Sequence, residues 1–238
     1  MSSSKFGKLY LLPVPISEGK ENNFIPNYNF ELVKKLKYFI AEDTKTARRF
    51  LNYFKYPKIE VAEITELNEH TKQFYYTELI QPLLKGEDLG LMSDAGCPGI
   101  ADPGAEVVKL AHKHNIEVVP LVGPSSILLS IMASGFNGQN FAFVGYLPIE
   151  KDKKIKRLKE LEQQVYKNQQ AQFFIETPYR NTTLFDTLVN TLSPQTLLFI
   201  GVDVTSPEQL LINKSIAEWK KIKVPELNKR PTVFGIYK

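Results

Sequence analysis

The chain has 238 residues, enough for one large domain or two small ones around a packed core. With 43% hydrophobic and 24% charged residues it has a globular composition, no apolar run nears the roughly 20 residues of a membrane span, and the net charge of +4 is mild. One cysteine, Cys97, excludes an internal disulfide framework, and neither it nor His70, His112 and His114 has the spacing of zinc ligands, so no metal is expected.

The N-terminal Met1-Ser2-Ser3-Ser4-Lys5 lacks the apolar core of a signal peptide, which with the lone cysteine points to the reducing cytoplasm. Short runs rich in Val, Ile, Leu and Phe then alternate with helix-periodic segments, the pattern of an α/β protein. In order, the spacing predicts a strand over 8–13, a helix over 30–37, a strand over 38–42, and a helix over 44–54 with Ala47, Phe50, Leu51 and Phe54 on one face. A helical pattern follows over 68–84, then strands over 89–93 and 117–120. Past Gly123-Pro124, residues 125–135 carry no charge. A helix apolar on all sides is expected to be buried, here between two lobes, so the chain is divided into lobes 1–122 and 123–238. Strands over 141–144, 172–176, 196–202 and 232–237 complete the pattern. Asp102-Pro103 and Thr177-Pro178 each pair an N-cap acceptor with proline at the first helical position, which marks two helix starts directly after strands. Open α/β sheets build their sites on such loops.

Basic residues cluster at Lys34, Lys35 and Lys37, at Lys45, Arg48 and Arg49, and from Lys151 through Lys153, Lys154, Lys156 and Arg157 to Lys159. Solvated helix faces explain them as well as a polyanion surface does.

The stretch Leu91-Met92-Ser93-Asp94-Ala95-Gly96-Cys97-Pro98-Gly99-Ile100-Ala101-Asp102-Pro103-Gly104 carries the strongest chemical signal. No lysine follows it as a P-loop requires, and the dinucleotide fingerprint is absent. A nucleophilic Cys97 needs a base or a helix N-terminus at the sulfur, and no histidine is near in sequence, so a small buried cysteine is the simpler reading. What remains is a glycine-rich loop that lets a ligand approach main-chain groups, flanked by Asp94 and Asp102.

This stretch resembles the S-D-A-G-T-P-x-x-x-D-P-G signature of the class III S-adenosylmethionine-dependent methyltransferases, the tetrapyrrole methylase superfamily. Within it the chain is most similar to the branch that 2′-O-methylates a cytidine ribose of small-subunit ribosomal RNA. Leu9-Tyr10-Leu11-Leu12-Pro13-Val14-Pro15-Ile16 resembles L-Y-x-V-P-T-P-I, and Ile40-Ala41-Glu42-Asp43-Thr44 with Arg48 resembles A-x-E-D-T-R. Val119-Pro120-Leu121-Val122-Gly123-Pro124-Ser125-Ser126 is similar to V-V-P-L-P-G-P-x-A. Gly145-Tyr146-Leu147-Pro148 matches G-F-L-P, and Ile175-Glu176-Thr177-Pro178-Tyr179-Arg180 resembles Y-E-S-P-H-R. The motifs follow the family's order over nearly the whole chain.

The resemblance implies two α/β lobes with S-adenosylmethionine in the cleft between them, and a homodimer. It implies that Asp94, Ala95, Gly96, Cys97, Ile100, Ala101 and Asp102 form the cofactor floor, with Ser125, Ser126 and Glu176 as further contacts. Carboxylates suit a ligand that carries a sulfonium and an ammonium. Asp102 also reads as a plain N-cap, Ser125 and Ser126 as the start of a buried helix, and Glu176 with Arg180 as an internal ion pair. A ribose hydroxyl is a poor nucleophile, so a base or a nearby cation is expected, and Glu42, Asp43 and Arg48 are the catalytic candidates. Against them stands Asp43 or Thr44 capping the next helix, with Arg48 paired locally. Asn68-Glu69-His70 partly matches a polar family segment, although a lone surface histidine reads the same way.

The substrate half departs from the pattern. Ser17-Glu18 replaces Gly-Asn, the A-R-E-L-T-K segment persists only as Val202-Asp203-Val204-Thr205-Ser206-Pro207-Glu208, and Lys229-Arg230-Pro231 replaces K-G-E. The chain ends at Lys238, before the extra C-terminal region of RNA-modifying members. Methylation of RNA, as rRNA or a ribosomal subunit, is the expected activity. The alternatives are a tetrapyrrole or other small-molecule acceptor, which the few arginines (Arg48, Arg49, Arg157, Arg180, Arg230) disfavour, and a degenerate module that binds cofactor or RNA.

Overall fold

A computed structural model of the chain describes residues 5–17, 24–68, 71 and 76–238. Residues 1–4 and Glu18, Glu69 and His70, named above, lie outside the described residues. The chain divides into two compact units, Met1–Ser125 and Ser126–Lys238.

The first unit holds a parallel sheet of β1 (Leu9–Leu11), β2 (Tyr38–Ala41), β3 (Glu63–Glu66), β4 (Leu89–Leu91) and β5 (Val118–Pro120), in the order β3-β2-β4-β1-β5. Successive side chains point to opposite faces, and both faces are covered, as a parallel sheet requires. Phe39 and Ala41 enter a cluster with Phe50, Leu51 and Phe54, beneath α1 (Asn27–Val33) and α2 (Thr44–Tyr53). Ile40, between them, joins Leu83, Val107 and Ala111 on the other face, under α3 (Tyr76–Leu79), α4 (Gln81–Leu84) and α5 (Gly104–Lys113). At Gly90 a Cβ would lie 2.5 Å from Leu12 Cδ1 and 3.0 Å from Phe39 Cδ1, so the glycine lets these side chains close over β4.

The helix expected over 30–37 runs instead from just past Pro26 to Val33, and the lysines beyond it turn into β2. Within the pattern over 68–84, the described part forms two short helices, with Pro82 in the first turn of α4. The apolar runs gave no sign of β3.

The second unit opens with α6 (Ser126–Ser134). A mixed sheet follows, made of β6 (Phe141–Tyr146), β7 (Ala171–Ile175), β8 (Leu197–Val202), β9 (Leu210–Ser215) and β10 (Thr232–Tyr237) in the order β6-β7-β10-β8-β9. Only β6 and β7 are parallel. α7 (Lys151–Asn168), α8 (Asn181–Thr191) and α9 (Ile216–Trp219) cover one face, where Phe174 stacks on Phe234 at 6.1 Å and Trp219 meets Phe185 edge-on at 5.2 Å. The other face, with Phe173 and Phe199, packs against Ile131 of α6 and Phe136. α6 lies close here because Gly201 leaves room, a Cβ on it falling 2.7 Å from Ser130 Oγ. The expectation that α6 is buried on all sides is corrected. It buries the Ser130, Ile131 and Ser134 face, while Leu128 is 55% and Met132 77% exposed. A helix laid on one sheet has only one stripe to bury.

The expected helix start at Asp102-Pro103 holds, and the one at Thr177-Pro178 takes another form. Pro103 is already helical, with φ −69° and ψ −12°, and Asp102 accepts from Gly104 N–H at the start of α5, whereas Thr177 opens a 3-10 turn without a side-chain capping bond.

Candidate active site

β1 and β4 are neighbours; β4 runs on into the loop at 93–104, and β1 into residues 12–16 beside it. Beyond β1, Val14 bridges Gly96: Val14 N–H donates to the Gly96 carbonyl at 2.9 Å, and Gly96 N–H returns a bond at 3.2 Å. Gly96 takes φ +72°, and a Cβ there would press on Ile16 Cγ2 at 3.0 Å and the Pro124 carbonyl at 3.3 Å. Gly96 thus supplies conformation and close approach, but its own amide and carbonyl are spent on Val14. Among the described residues the amides of Ala95, Cys97 and Ala101, like those of Ser93, Ile100 and Asp102, have no acceptor, so the loop keeps several donors for a ligand.

Asp102 clamps the far side of the loop. Its two oxygens accept from Gly99 N–H at 2.8 Å and Gly104 N–H at 2.6 Å. Between the clamped amides, Ala101 is held left-handed at φ +59° and Ile100 is exposed. Cys97 donates its thiol to the Pro124 carbonyl at 3.4 Å, which ties the loop to the segment leading to buried Ser125. Burial pushes the Cys97 thiol up, so it is not poised as a nucleophile.

Glu42 follows β2 directly and accepts from Asp94 N–H at 3.4 Å. Burial raises its carboxyl, and the negative charges of Asp94 and Asp102 raise it further. Asp94 is raised by burial and by Asp43, an effect that Arg49 only partly offsets. Asp102 is raised by burial and by Asp94, against the lowering of its two amide bonds. Three carboxyls on neighbouring loops therefore disfavour one another's charge, a standing mismatch that a bound cation relieves.

The other catalytic candidates separate. Asp43 caps α2, accepting from Thr46 N–H at 2.6 Å, and that bond holds its carboxyl below the ordinary range. Arg48 is exposed and has no acid partner among the described residues.

In the second unit Ser126 opens α6, and Glu176 follows β7 with a side chain fully removed from solvent. One carboxylate oxygen accepts from Thr177 N–H at 2.8 Å and from Arg180 Nε at 3.0 Å and Nη2 at 2.6 Å. The other faces Lys154 Nζ at 3.3 Å. Burial raises this carboxyl, but Arg180, Thr177 N–H and Lys154 together hold it below the ordinary range. So engaged, Glu176 orients Arg180, the internal ion pair that was one of its two readings. Lys154 was legible only as part of a charge cluster. Its position in the stripe Lys154, Leu158, Leu161, Val165 was the available sign of burial.

No family model matches the chain. In sequence it is similar to proteins named ribosomal RNA small subunit methyltransferase I. It is 32% identical to that of Halalkalibacterium halodurans, covering 77% of this chain and 60% of the relative. It is 34% identical to that of Bacillus subtilis, over 74% and 57% respectively. The Streptococcus pyogenes relative is 34% identical over 79% and 60%. The chain thus spans about three fifths of the length of the curated relatives it matches. In structure it is similar to the methyltransferase CobJ, with a TM-score of 0.63 at 15% identity, covering 98% of this chain and 99% of the other. It is also similar to the cobalt precorrin-4 methyltransferase CbiF, a cobalamin biosynthetic enzyme, with a TM-score of 0.60 at 11% identity, covering 96% and 94%. The chain has the tetrapyrrole methylase fold. On this fold the loop at 93–104 and Glu42 stand at carboxyl ends of parallel strands, where open α/β sheets place ligands.

Proposed function

We propose that the protein is an S-adenosylmethionine-dependent methyltransferase acting on RNA, with a ribose 2′-hydroxyl of small-subunit rRNA as acceptor. The observation that carries this is the group of mutually destabilised carboxyls Glu42, Asp94 and Asp102 around a loop with unspent amides. Such a floor fits a ligand that presents a sulfonium and an ammonium beside hydrogen-bond acceptors. When bound, the cofactor supplies a methyl group on an activated leaving group, so positioning provides much of the rate. Asp94 contributes charge to the floor, Asp102 keeps the loop in shape, and Ala95, Cys97 and Ala101 offer amides. Ser125 and Ser126 add hydroxyls beside the Pro124 tether. Glu42, its carboxyl raised by burial and by Asp94 and Asp102, is placed to accept a proton from an acceptor hydroxyl.

The names of the sequence relatives support RNA as the acceptor class. A tetrapyrrole acceptor has less support here, since Arg157 and Arg230 are paired with Glu160 and Asp203. The reading includes a cytoplasmic homodimer. No helix among the described residues is long and apolar enough to cross a membrane, and no group of His, Cys, Asp and Glu among them is arranged to hold a metal ion. Calorimetry with S-adenosylmethionine tests the reading. Saturable binding at micromolar to sub-millimolar concentration is expected, and no heat at millimolar cofactor refutes it.

A further inference from the structure

Where β6 and β7 end, the second unit leaves two aromatic rings in solvent. Tyr146, the last residue of β6, is 54% exposed, and Tyr179, in the 3-10 turn after β7, is 74% exposed. Tyr146 is in register with Ile175, the last residue of β7, so both rings belong to one sheet edge. Cations stand beside them. Lys229 Nζ lies 5.9 Å from the centroid of the Tyr179 ring, and Arg180 follows Tyr179 in the same 3-10 turn.

The fold holds these groups in place. Lys229 adopts a left-handed backbone, φ +60°, which a lysine rarely takes unless its surroundings impose it. Its N–H donates to the Pro178 carbonyl at 3.0 Å, and Asn181 Nδ2 donates to the Arg230 carbonyl at 2.6 Å, so residues 229–230 are stapled to the turn that carries Tyr179. Arg230 is anchored in turn by Asp203 Oδ2 at 2.6 Å and the Glu208 carbonyl at 2.8 Å. Arg180 is fixed by Glu176, while its Nη1 has no partner among the described residues. Lys154 and Arg180 together outweigh Glu176 by one positive charge, so the turn remains cationic.

We propose that this edge is a platform for single-stranded RNA, with Tyr146 and Tyr179 stacking on unpaired bases and Arg180 and Lys229 contacting the phosphates between them. Exposed rings flanked by fixed cations match a ligand that alternates flat bases with anionic links. A duplex hides its base faces, so the platform selects loops and unpaired ends. This rests on the proposed RNA acceptor and names how that acceptor is held. It also gives Lys229-Arg230-Pro231 a role: Arg230 anchors the segment and Lys229 faces the ligand.

The test is fluorescence anisotropy with a short labelled single-stranded RNA of mixed sequence, competed by the same sequence as a duplex. Wild-type protein binds the single strand more tightly than the duplex. Tyr146→Ala and Tyr179→Ala each weaken binding by about 5- to 150-fold, the range that removing a base-stacking ring produces. Tyr179→Phe keeps near wild-type affinity, and Lys229→Gln lowers the salt slope by about 0.7. Unchanged thermal unfolding confirms that the variants are folded. Wild-type affinity in both alanine variants, or a preference for duplex, overturns the platform. Should the wild type bind no single strand while calorimetry still shows cofactor binding, the platform falls and the methyltransferase reading stands.

Discussion

Glu176 and Lys154 form the one buried ion pair among the described residues, with side chains 0% and 6% exposed, and Glu176→Gln perturbs it most cleanly. The substitution keeps the shape and removes the anion, so Lys154 Nζ is left as a buried cation facing an amide oxygen. Removing one partner of a buried pair costs roughly 3–5 kcal/mol. The retained oxygen places this case at the low end, about 3 kcal/mol, or roughly a 150-fold shift in the folded-to-unfolded ratio. Urea unfolding followed by tryptophan fluorescence measures it, because Trp219 is the single tryptophan, is buried in the same unit and donates to the Leu198 carbonyl at 2.9 Å. The folded carboxyl is depressed, so the wild-type advantage is present above the unfolded value, about 4.3, and is lost as pH falls through the lower folded value. The gap between wild type and variant therefore holds from pH 8 to about pH 5 and narrows below the unfolded value as pH falls toward and through the lower folded one. Adding Lys154→Met recovers much of the loss, since the stranded charge is removed too. A loss under about 1 kcal/mol at pH 7, or a gap that does not narrow as pH falls below about 4, refutes the reasoning.

Other outcomes follow from the first unit. Asp94→Ala weakens cofactor binding about 10- to 150-fold, the worth of a bond to a charged group, whereas Cys97→Ser leaves it within about twofold; equal calorimetric affinities in the two variants contradict the loop assignment. Glu42→Gln stabilises the unliganded first unit at pH 7, because a carboxyl raised in the folded state makes its charged form a burden there, and it lowers the methyl-transfer rate. If thermal unfolding shows a less stable variant, Glu42 is not in a repulsive group. Asp43→Ala costs about 1 kcal/mol through loss of the α2 cap; an unchanged denaturation midpoint means that the cap contributes nothing.

The central strands were legible because continuous apolar runs such as Tyr38–Ala41 are buried on both faces. Of the edge strands, β5 and β6 were legible too, but β3 and β9 were not. β3 reads Glu-Ile-Thr-Glu with only Ile64 half-buried between exposed acids, and β9 alternates half-buried and exposed residues, so neither presents a run. The loop at 93–104 was legible as a ligand loop, but glycine content did not reveal that Gly96 spends its backbone on Val14, a contact between residues far apart in sequence. Glu176 looked like a ligand group because nothing local showed that Lys154, 22 residues earlier, would meet it in the core. Asp43 shows the opposite limit. Its capping role was one of the open readings, and only the Thr46 bond decides that the carboxylate is already engaged.

The most direct test of the account is methyl transfer itself. Purified protein is incubated with S-adenosylmethionine labelled on its methyl group and with unmodified small-subunit rRNA or ribosomal subunits, and the RNA is digested to nucleosides. The account predicts label in a 2′-O-methylated nucleoside. Label in no nucleoside, although calorimetry shows the cofactor bound, contradicts it.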